Sequence, residues 1–300
     1  MRYPIFLFKS QALTALRGNW ISALLVTFFA SLPTTVLQVM RARMLPTADT
    51  TDVYALVRSV EAVPDSTWLA LSAVSVLATV LVPMLAVSSH HYFVCRLQKR
   101  ELGAAGVLSR ARLWGKALGL YLLIGLKVFL WSLLFIIPGI IALLRYSMAP
   151  YYLAEEPELG VREALAKSIA VMKDKKAGYL LLQFSFFGWM LLTLLLELLL
   201  YTTSEVLALV LSQFMQLFIA TYLNGACASF FLFALDPAAG MRSAREAMSG
   251  TPIGAFMEKQ GMFEPRGEQE EADEADDGTP SGDDGTPSDD DGTPSDDGAN

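Results

Sequence analysis

Between Ala117 and Leu153 the chain runs for 37 residues with only Lys127 and Arg145 charged. Drawn as one straight helix, this stretch would be about 55 Å long at a rise of about 1.5 Å per residue, against a hydrocarbon layer about 30 Å thick. It must therefore break or cross twice. Pro138 and Gly139 stand inside it, in Phe135-Ile-Ile-Pro-Gly-Ile-Ile141, and a proline both removes a backbone donor and collides with the preceding turn of a helix. A hairpin turn at Pro138 and Gly139 gives one full span over 117–136 and a returning segment over 140–153. The return is about 21 Å long, short enough for a thin span or a re-entrant helix.

Four further apolar runs, 21–40, 68–89, 179–201 and 206–235, are each long enough to cross. Lipid offers no partner to a backbone N–H or C=O, so such segments cross as helices. With 53% hydrophobic and 18% charged residues and a mean hydropathy of +0.42, the composition excludes an ordinary soluble domain. The predicted fold is all-α: a polytopic membrane bundle of about six spans within 1–236, a cytoplasmic juxtamembrane segment over 237–266 and an acidic tail over 267–300.

Charge is divided unevenly along the chain. Residues 1–266 hold all 23 Lys and Arg against 16 Asp and Glu, whereas 267–300 hold 14 acids and no base. The net charge of −7 thus describes an acidic tail on a basic body, which argues against a nucleic-acid binder or an acidic soluble protein. Arg96, Lys99, Arg100, Arg110, Arg112 and Lys116 face Glu101 alone in one loop, and Arg2, Lys9 and Arg17 precede the first span without an acid. The positive-inside bias places both segments in the cytoplasm. Lys173, Lys175 and Lys176, just before Tyr179, ask for the same side, and that requires an even number of crossings before them. Six spans with both termini cytoplasmic follow; five spans with the tail outside is the alternative. The amino terminus does not read as a cleavable signal, because its first apolar run is long enough to span and lies behind three bases.

Val161, Ala164, Leu165, Ser168, Ile169 and Met172 recur at helical spacing with Arg162, Glu163, Lys167 and Lys173 off that face, and Ile5, Phe8, Ala12, Leu13 and Leu16 repeat the pattern. Interfacial amphipathic helices over 160–173 and 4–17 are expected. At an offset of 156 residues Leu13 aligns with Ile169, Leu16 with Met172, Arg17 with Lys173 and Leu24 with Leu180. A duplicated unit of amphipathic helix and span would give this, although any two interfacial helices share some of it. In the tail, Asp-Gly-Thr-Pro-Ser recurs from Asp277, Asp284 and Asp291 without a large apolar residue. That segment is predicted disordered, and it lacks the spaced ligands and closing Glu of a calcium loop.

The middle of the chain carries Leu130-Trp131, Leu134-Phe-Ile-Ile-Pro-Gly-Ile-Ile141, Tyr146-Ser-Met-Ala-Pro-Tyr-Tyr-Leu-Ala154, Glu163-Ala-Leu165, Ser168, Met172-Lys173 and Ser185-Phe-Phe-Gly-Trp189. With the opening Ala15-Leu-Arg-Gly-Asn-Trp20, these resemble a bacterial family of multispanning proteins known as domain of unknown function 975. The resemblance implies an integral membrane protein, distantly similar to the membrane domain of some glycerophosphodiesterases, with no assigned activity. Asp174-Lys175-Lys176 and the last span depart from the family pattern, and the acidic tail lies outside it.

Charges at membrane depth are the first functional candidates, since each costs at least about 2.5–3.5 kcal/mol there. In the hairpin reading Lys127 and Arg145 sit at similar depth on neighbouring helices, a candidate anion or lipid headgroup site. The plainer reading is snorkelling, or pairing with carbonyls freed by Pro138. Glu197, the one acid inside a span, lies about 13 Å further out than Lys127. Gln213, Gln216, Asn224 and Ser229 read as hydrogen-bonding glue between helices, and Trp20, Trp68, Tyr151, Tyr152 and Tyr201 as interface anchors. His91 and Cys95 share a helix face beside His90, but two ligands do not make a metal site. Glu155, Glu156 and Glu158 read as a solvated acidic patch. No P-loop, dinucleotide fingerprint or nucleophile elbow is present. No enzyme activity, cofactor or metal is expected, nor a disulfide between Cys95 and Cys227.

The expectation is an integral protein of the bacterial plasma membrane, non-catalytic, binding anionic lipid or a membrane partner through its basic cytoplasmic face. That face comprises Arg17, Arg96, Lys99, Arg100, Arg110, Arg112, Lys116, Lys173, Lys175 and Lys176. Membrane lipids, a membrane protein or a second copy of the chain are the partners it suits, and nucleic acid is not. The alternative is a transporter or exporter of a small amphiphilic or anionic solute.

Overall fold

A computed structural model describes residues 5–45, 54, 58, 60–201, 205–250 and 252–259. The chain divides into a compact unit over Met1–Phe256 and a second over Met257–Asn300, of which only 257–259 are described. The acidic tail, with its predicted disorder, lies outside the described residues.

Among the described residues the structure is helical and without strands. The helices are α1 (Ile5–Leu16), α2 (Trp20–Met44), α3 (Asp65–Leu97), α4 (Trp114–Leu134), α5 (Ile136–Tyr146), α6 (Ala149–Glu155), α7 (Val161–Val171), α8 (Lys176–Tyr201), α9 (Glu205–Leu235), α10 (Pro237–Met248) and α11 (Pro252–Lys259). Among the described residues six segments are long and apolar enough to cross a membrane: Trp20–Met44, Asp65–Leu97, Ala111–Leu134, Ile136–Glu155, Lys176–Leu200 and Val210–Leu235. The chain is thus a multi-pass membrane protein of the predicted class.

The break in the long apolar stretch falls at Phe135, not at Pro138 and Gly139. Phe135 is extended, with φ −161° and ψ 154°, and α4 and α5 on either side of it pack against one another. Pro138 instead occupies the third position of α5, in the first turn, where a helix has no use for its N–H. Gly139 closes the contact between the two helices: a Cβ there would run into Ser132 Oγ and lie 3.0 Å from its Cα. The returning span is also longer than expected, since α5 and α6 together reach Glu155 with only Ser147 and Met148 between them.

Both segments read as amphipathic are helical, although in α1 Leu13 of the predicted face is exposed and Leu7 is buried. The apolar face of α1 packs on α9, with Leu7, Phe8, Ala12 and Leu16 buried and the Phe8 ring 5.2 Å from Phe230 and 5.3 Å from Phe233. Gly225 admits this approach, because its Cβ would stand 3.2 Å from that of Ala12. Gln11, also buried, donates to the Gly240 carbonyl at 3.1 Å and accepts from the Ser229 hydroxyl. In α7, Ala164, Leu165 and Ser168 are buried against the α4–α6 layer, and Glu163 accepts from the Gly160 N–H at 2.9 Å to start the helix. Leu16 and Met172, aligned in the proposed repeat, are both buried just ahead of a span.

Burial is concentrated at one end. Helices α2, α4 and α8 begin, and α3, α6 and α9 finish, at the end rich in Lys and Arg. There α3 buries Leu85, Val87, Tyr92, Phe93, Val94 and Cys95, and α9 buries Ala226, Cys227, Phe230 and Phe231. At the far end Leu69 and Leu77 of α3, Leu133 and Leu134 of α4, and Leu198 and Leu199 of α8 are exposed. Lipid is as apolar as leucine, so these surfaces cost nothing in a bilayer and need no protein cover.

Candidate functional site

Consecutive residues on a helix diverge by about 100°, so His90 and His91, near the basic end of α3, face different surroundings. The His90 ring lies 4.2 Å from that of Tyr151, and its Nδ1 is buried with no hydrogen-bond partner. It borders a half-open cavity of about 260 Å³ lined by residues of α3, α4, α5, α6, α8 and α9. Four tyrosines from four of these helices reach the lining: Tyr121, Tyr146, Tyr151 and Tyr179. Ser147, Gln183, Asn224 and Cys227 add polar atoms, while Ile124, Leu143, Pro150 and Leu223 supply apolar wall. No Asp, Glu, Lys or Arg is in the lining.

Part of this polar set is internally paired. The Cys227 sulfur accepts from the Tyr179 hydroxyl at 3.7 Å and from Gln183 Nε2 at 3.6 Å. Tyr151 is fixed from behind by stacking on Phe231 at 5.1 Å. Its helix, α6, carries Pro150 in its first turn and is buried from Ala149 through Ala154. Well-packed elements therefore position these side chains around the cavity, in a membrane bundle where unpaired polar groups are costly.

One turn beyond Tyr151 on the same helix stands Glu155, and it meets His91. Glu155 Oε1 is 2.8 Å from His91 Nδ1, and Glu155 Oε2 is 3.8 Å from Arg100 Nη1. The two side chains of the tight pair are only 12% and 17% exposed. Arg110 Nη2 lies 3.4 Å from the same His91 Nδ1, and Cys95 Sγ is 3.5 Å from His91 Nε2 and 3.8 Å from Nδ1. The Arg110 backbone N–H is docked on Ser88 Oγ at 3.3 Å, while its Nε is buried without a partner. Nδ1 cannot donate a proton to Glu155 and accept one from Arg110 together. The cluster is crowded around a single atom.

The residues singled out from sequence are placed as follows. Lys127 is exposed, with its Nζ 6.0 Å from the centroid of Tyr146, behind the cavity wall. Arg145 is half-buried, and its carbonyl accepts from Ser168 Oγ at 2.8 Å. Among the described residues no hydrogen bond or ion pair joins the two. Arg17, Arg112 and Lys173 are exposed at the basic end. Others there are engaged: Lys99 with Glu246 at 2.9 Å, Arg100 with Glu155, Arg110 with His91, and Lys116 with the Pro157 carbonyl at 2.7 Å. Lys175 and Lys176 hold the carbonyls of Val171 and Lys173, and Arg96 Nε is buried without a partner. On the last span Asn224 lines the cavity, Ser229 ties α9 to α1, and Gln213 and Gln216 are exposed.

Two expectations are corrected. Tyr151 and Tyr152 are buried aromatics packed on Phe231, not interface anchors. Of the three acids after Ala154, Glu156 and Glu158 are exposed, Glu156 pairing with Lys167, whose ammonium sits 5.7 Å from the Tyr152 ring, but Glu155 leaves the solvated patch and joins the His91 cluster. The sequence held one signal for the cluster, the i, i+4 step from His91 to Cys95 that puts both side chains on one helix face.

Residues 133–233, about a third of the chain, match the model of the family described as Protein of unknown function (DUF975). The match includes α9 almost to its end, so the last span belongs to the resemblance, while Ala15–Trp20 lies outside the matched residues. Tyr146, Tyr151, Glu155, Tyr179, Asn224 and Cys227 fall within it; His90, His91, Cys95 and Tyr121 come from the chain before it. No curated protein matches the chain. No solved structure matches it either.

Proposed function

We propose that this chain is a non-catalytic protein of the bacterial plasma membrane that holds the polar head of a membrane amphiphile in the cavity bordered by His90. Both termini are cytoplasmic, because the positive-inside bias puts the basic end on that side. The cavity then lies in the inner leaflet, beneath a face whose exposed Arg17, Arg112 and Lys173 draw anionic headgroups to the surface.

The observation that carries the reading is the lining itself. A bundle that only packs would fill this space with apolar side chains, because each buried polar group without a partner costs about 1–3 kcal/mol. Four tyrosines, an amide from each of α8 and α9 and an unpartnered His90 Nδ1 instead converge on it. With no charged side chain in the lining, the occupant it suits is an uncharged head rich in hydroxyl or amide groups. Lys127, outside the wall at Tyr146, stands where an anionic portion of the same molecule would be met.

Native mass spectrometry of the purified chain is the test. A co-purifying amphiphile lost in Tyr151→Phe/Asn224→Leu and kept in Arg145→Ala supports the cavity. Loss in Lys127→Ala and Arg145→Ala, with the cavity variant unaffected, moves binding to those two cations. Transport is the second reading, favoured by a polar cavity part-way across the bundle; solute flux in proteoliposomes that the cavity variant abolishes would replace holding by carriage.

A further inference from the structure

We propose that His91, Cys95 and Glu155 form a binding site for a zinc-class divalent metal ion, clamping the end of α3 to the end of α6. The inference is independent of the cavity reading and goes beyond it. His91 and Cys95 are one turn apart on α3, which puts their side chains on one face. Glu155 supplies the third ligand across the interface, and one donor atom from each of the three lies within 4.8 Å of the others.

The donor atoms stand within small side-chain adjustments of the spacing that a metal imposes. Ligand atoms on one tetrahedral zinc stand roughly 3.3–3.6 Å apart, given bonds of about 2.0 Å to nitrogen and oxygen and about 2.3 Å to sulfur. Sulfur already stands 3.5 Å from one His91 nitrogen and 3.8 Å from the other, and Glu155 Oε1 needs to retreat only slightly from 2.8 Å. Metal binding also removes the conflict at Nδ1, where Glu155 asks for a proton and Arg110 offers one.

Among the ligands alone the charges balance, with the Arg100 and Arg110 guanidiniums remaining as cations beside the site. On binding, Cys95 releases its proton to solvent, and a thiolate, a carboxylate and a neutral imidazole neutralise a dication. Glu155 Oε1 faces the ring while Oε2 faces Arg100, so one oxygen ligates and the other keeps its guanidinium partner in the second shell. Three protein ligands leave a fourth position for water or a further donor.

The test uses the full chain in detergent, with Co2+ as a spectroscopic substitute for Zn2+. One equivalent of Co2+ per chain should produce a thiolate-to-metal charge-transfer band. The band should vanish in Cys95→Ser and persist in Cys227→Ser, which removes the chain's other cysteine. Glu155→Gln should weaken Zn2+ binding by more than about tenfold, since even second-shell losses cost that much. Should Cys95→Ser fail to fold, the wild-type chain decides alone: a folded chain without the band overturns the site. So does a band that survives Cys95→Ser or disappears with Cys227→Ser.

Discussion

At the scale of single residues, Glu155 has more depending on it than its neighbours do. It faces both His91 and Arg100 from a side chain 17% exposed, and its removal leaves His91 without its carboxylate partner. A hydrogen bond to a charged group is worth about 1.5–3 kcal/mol. Glu155→Ala should cost about 2 kcal/mol in the metal-free protein, read as a lower midpoint of unfolding. A loss no larger than that of the exposed Glu158→Ala would show that the cluster is not the clamp between α3 and α6. Lys9 gives the opposite case. Its ammonium donates to the Ser185 carbonyl at 3.1 Å and lies 4.5 Å from the Phe186 ring, yet burial still pushes its pKa below the usual lysine value. The folded chain then binds fewer protons than the unfolded one between the two pKa values, so stability rises with pH across that interval. Lys9→Met should lose this dependence: its advantage over the wild type is greatest near neutral pH and shrinks as pH climbs toward the ordinary lysine range. Thermal unfolding of both proteins at pH 7 and pH 10 checks the sign, and a gap that does not move with pH would refute it.

At the scale of elements, the α4–α5 pair depends on the absence of a side chain at Gly139. A Cβ there meets Ser132 Oγ and lies 3.0 Å from both Cα and Cβ of Ser132, so Gly139→Ala must push the two helices apart. Overpacking of this kind costs about 1–3 kcal/mol. Ser132→Ala alongside it should recover only part, because the backbone contact stays. Full recovery in the double variant, measured by the same unfolding midpoint, would reduce the constraint to one hydroxyl. This pair also shows what the sequence could carry. That 37 residues must turn back followed from length and lipid thickness alone. Where they turn did not, because a proline is as acceptable in a helix's first turn as in the loop before it. The same limit applies to the cluster: His91 and Cys95 were legible as a pair from their spacing, but Glu155 lies 64 residues from His91 and joins it only through the packing of α6 on α3. The cavity's tyrosines were hidden for another reason. Near a span's end, an aromatic facing headgroups and one facing a neighbouring helix give the same sequence signal.

At the scale of the molecule, an uneven distribution of packing accompanies the uneven distribution of charge. The basic end holds the buried aromatics, the cavity and the ion-paired cluster, whereas the far end presents leucines outward from α3, α4 and α8. Such a bundle has one protein-like half and one half that relies on lipid for its surroundings, and the proposed orientation sets the first toward the cytoplasm. With the basic end cytoplasmic, Ser66, exposed at the start of α3, faces the outside, and Leu159, between α6 and α7, faces the cytoplasm. Both native cysteines are buried, so the background reaction with an impermeant thiol reagent should be low. In intact cells Ser66→Cys should label at once, and Leu159→Cys should label only after the membrane is opened. Labelling of Leu159→Cys from outside would invert the bundle, and it would set the basic face and the inner-leaflet assignment of the cavity aside together, since both follow from the one choice of side.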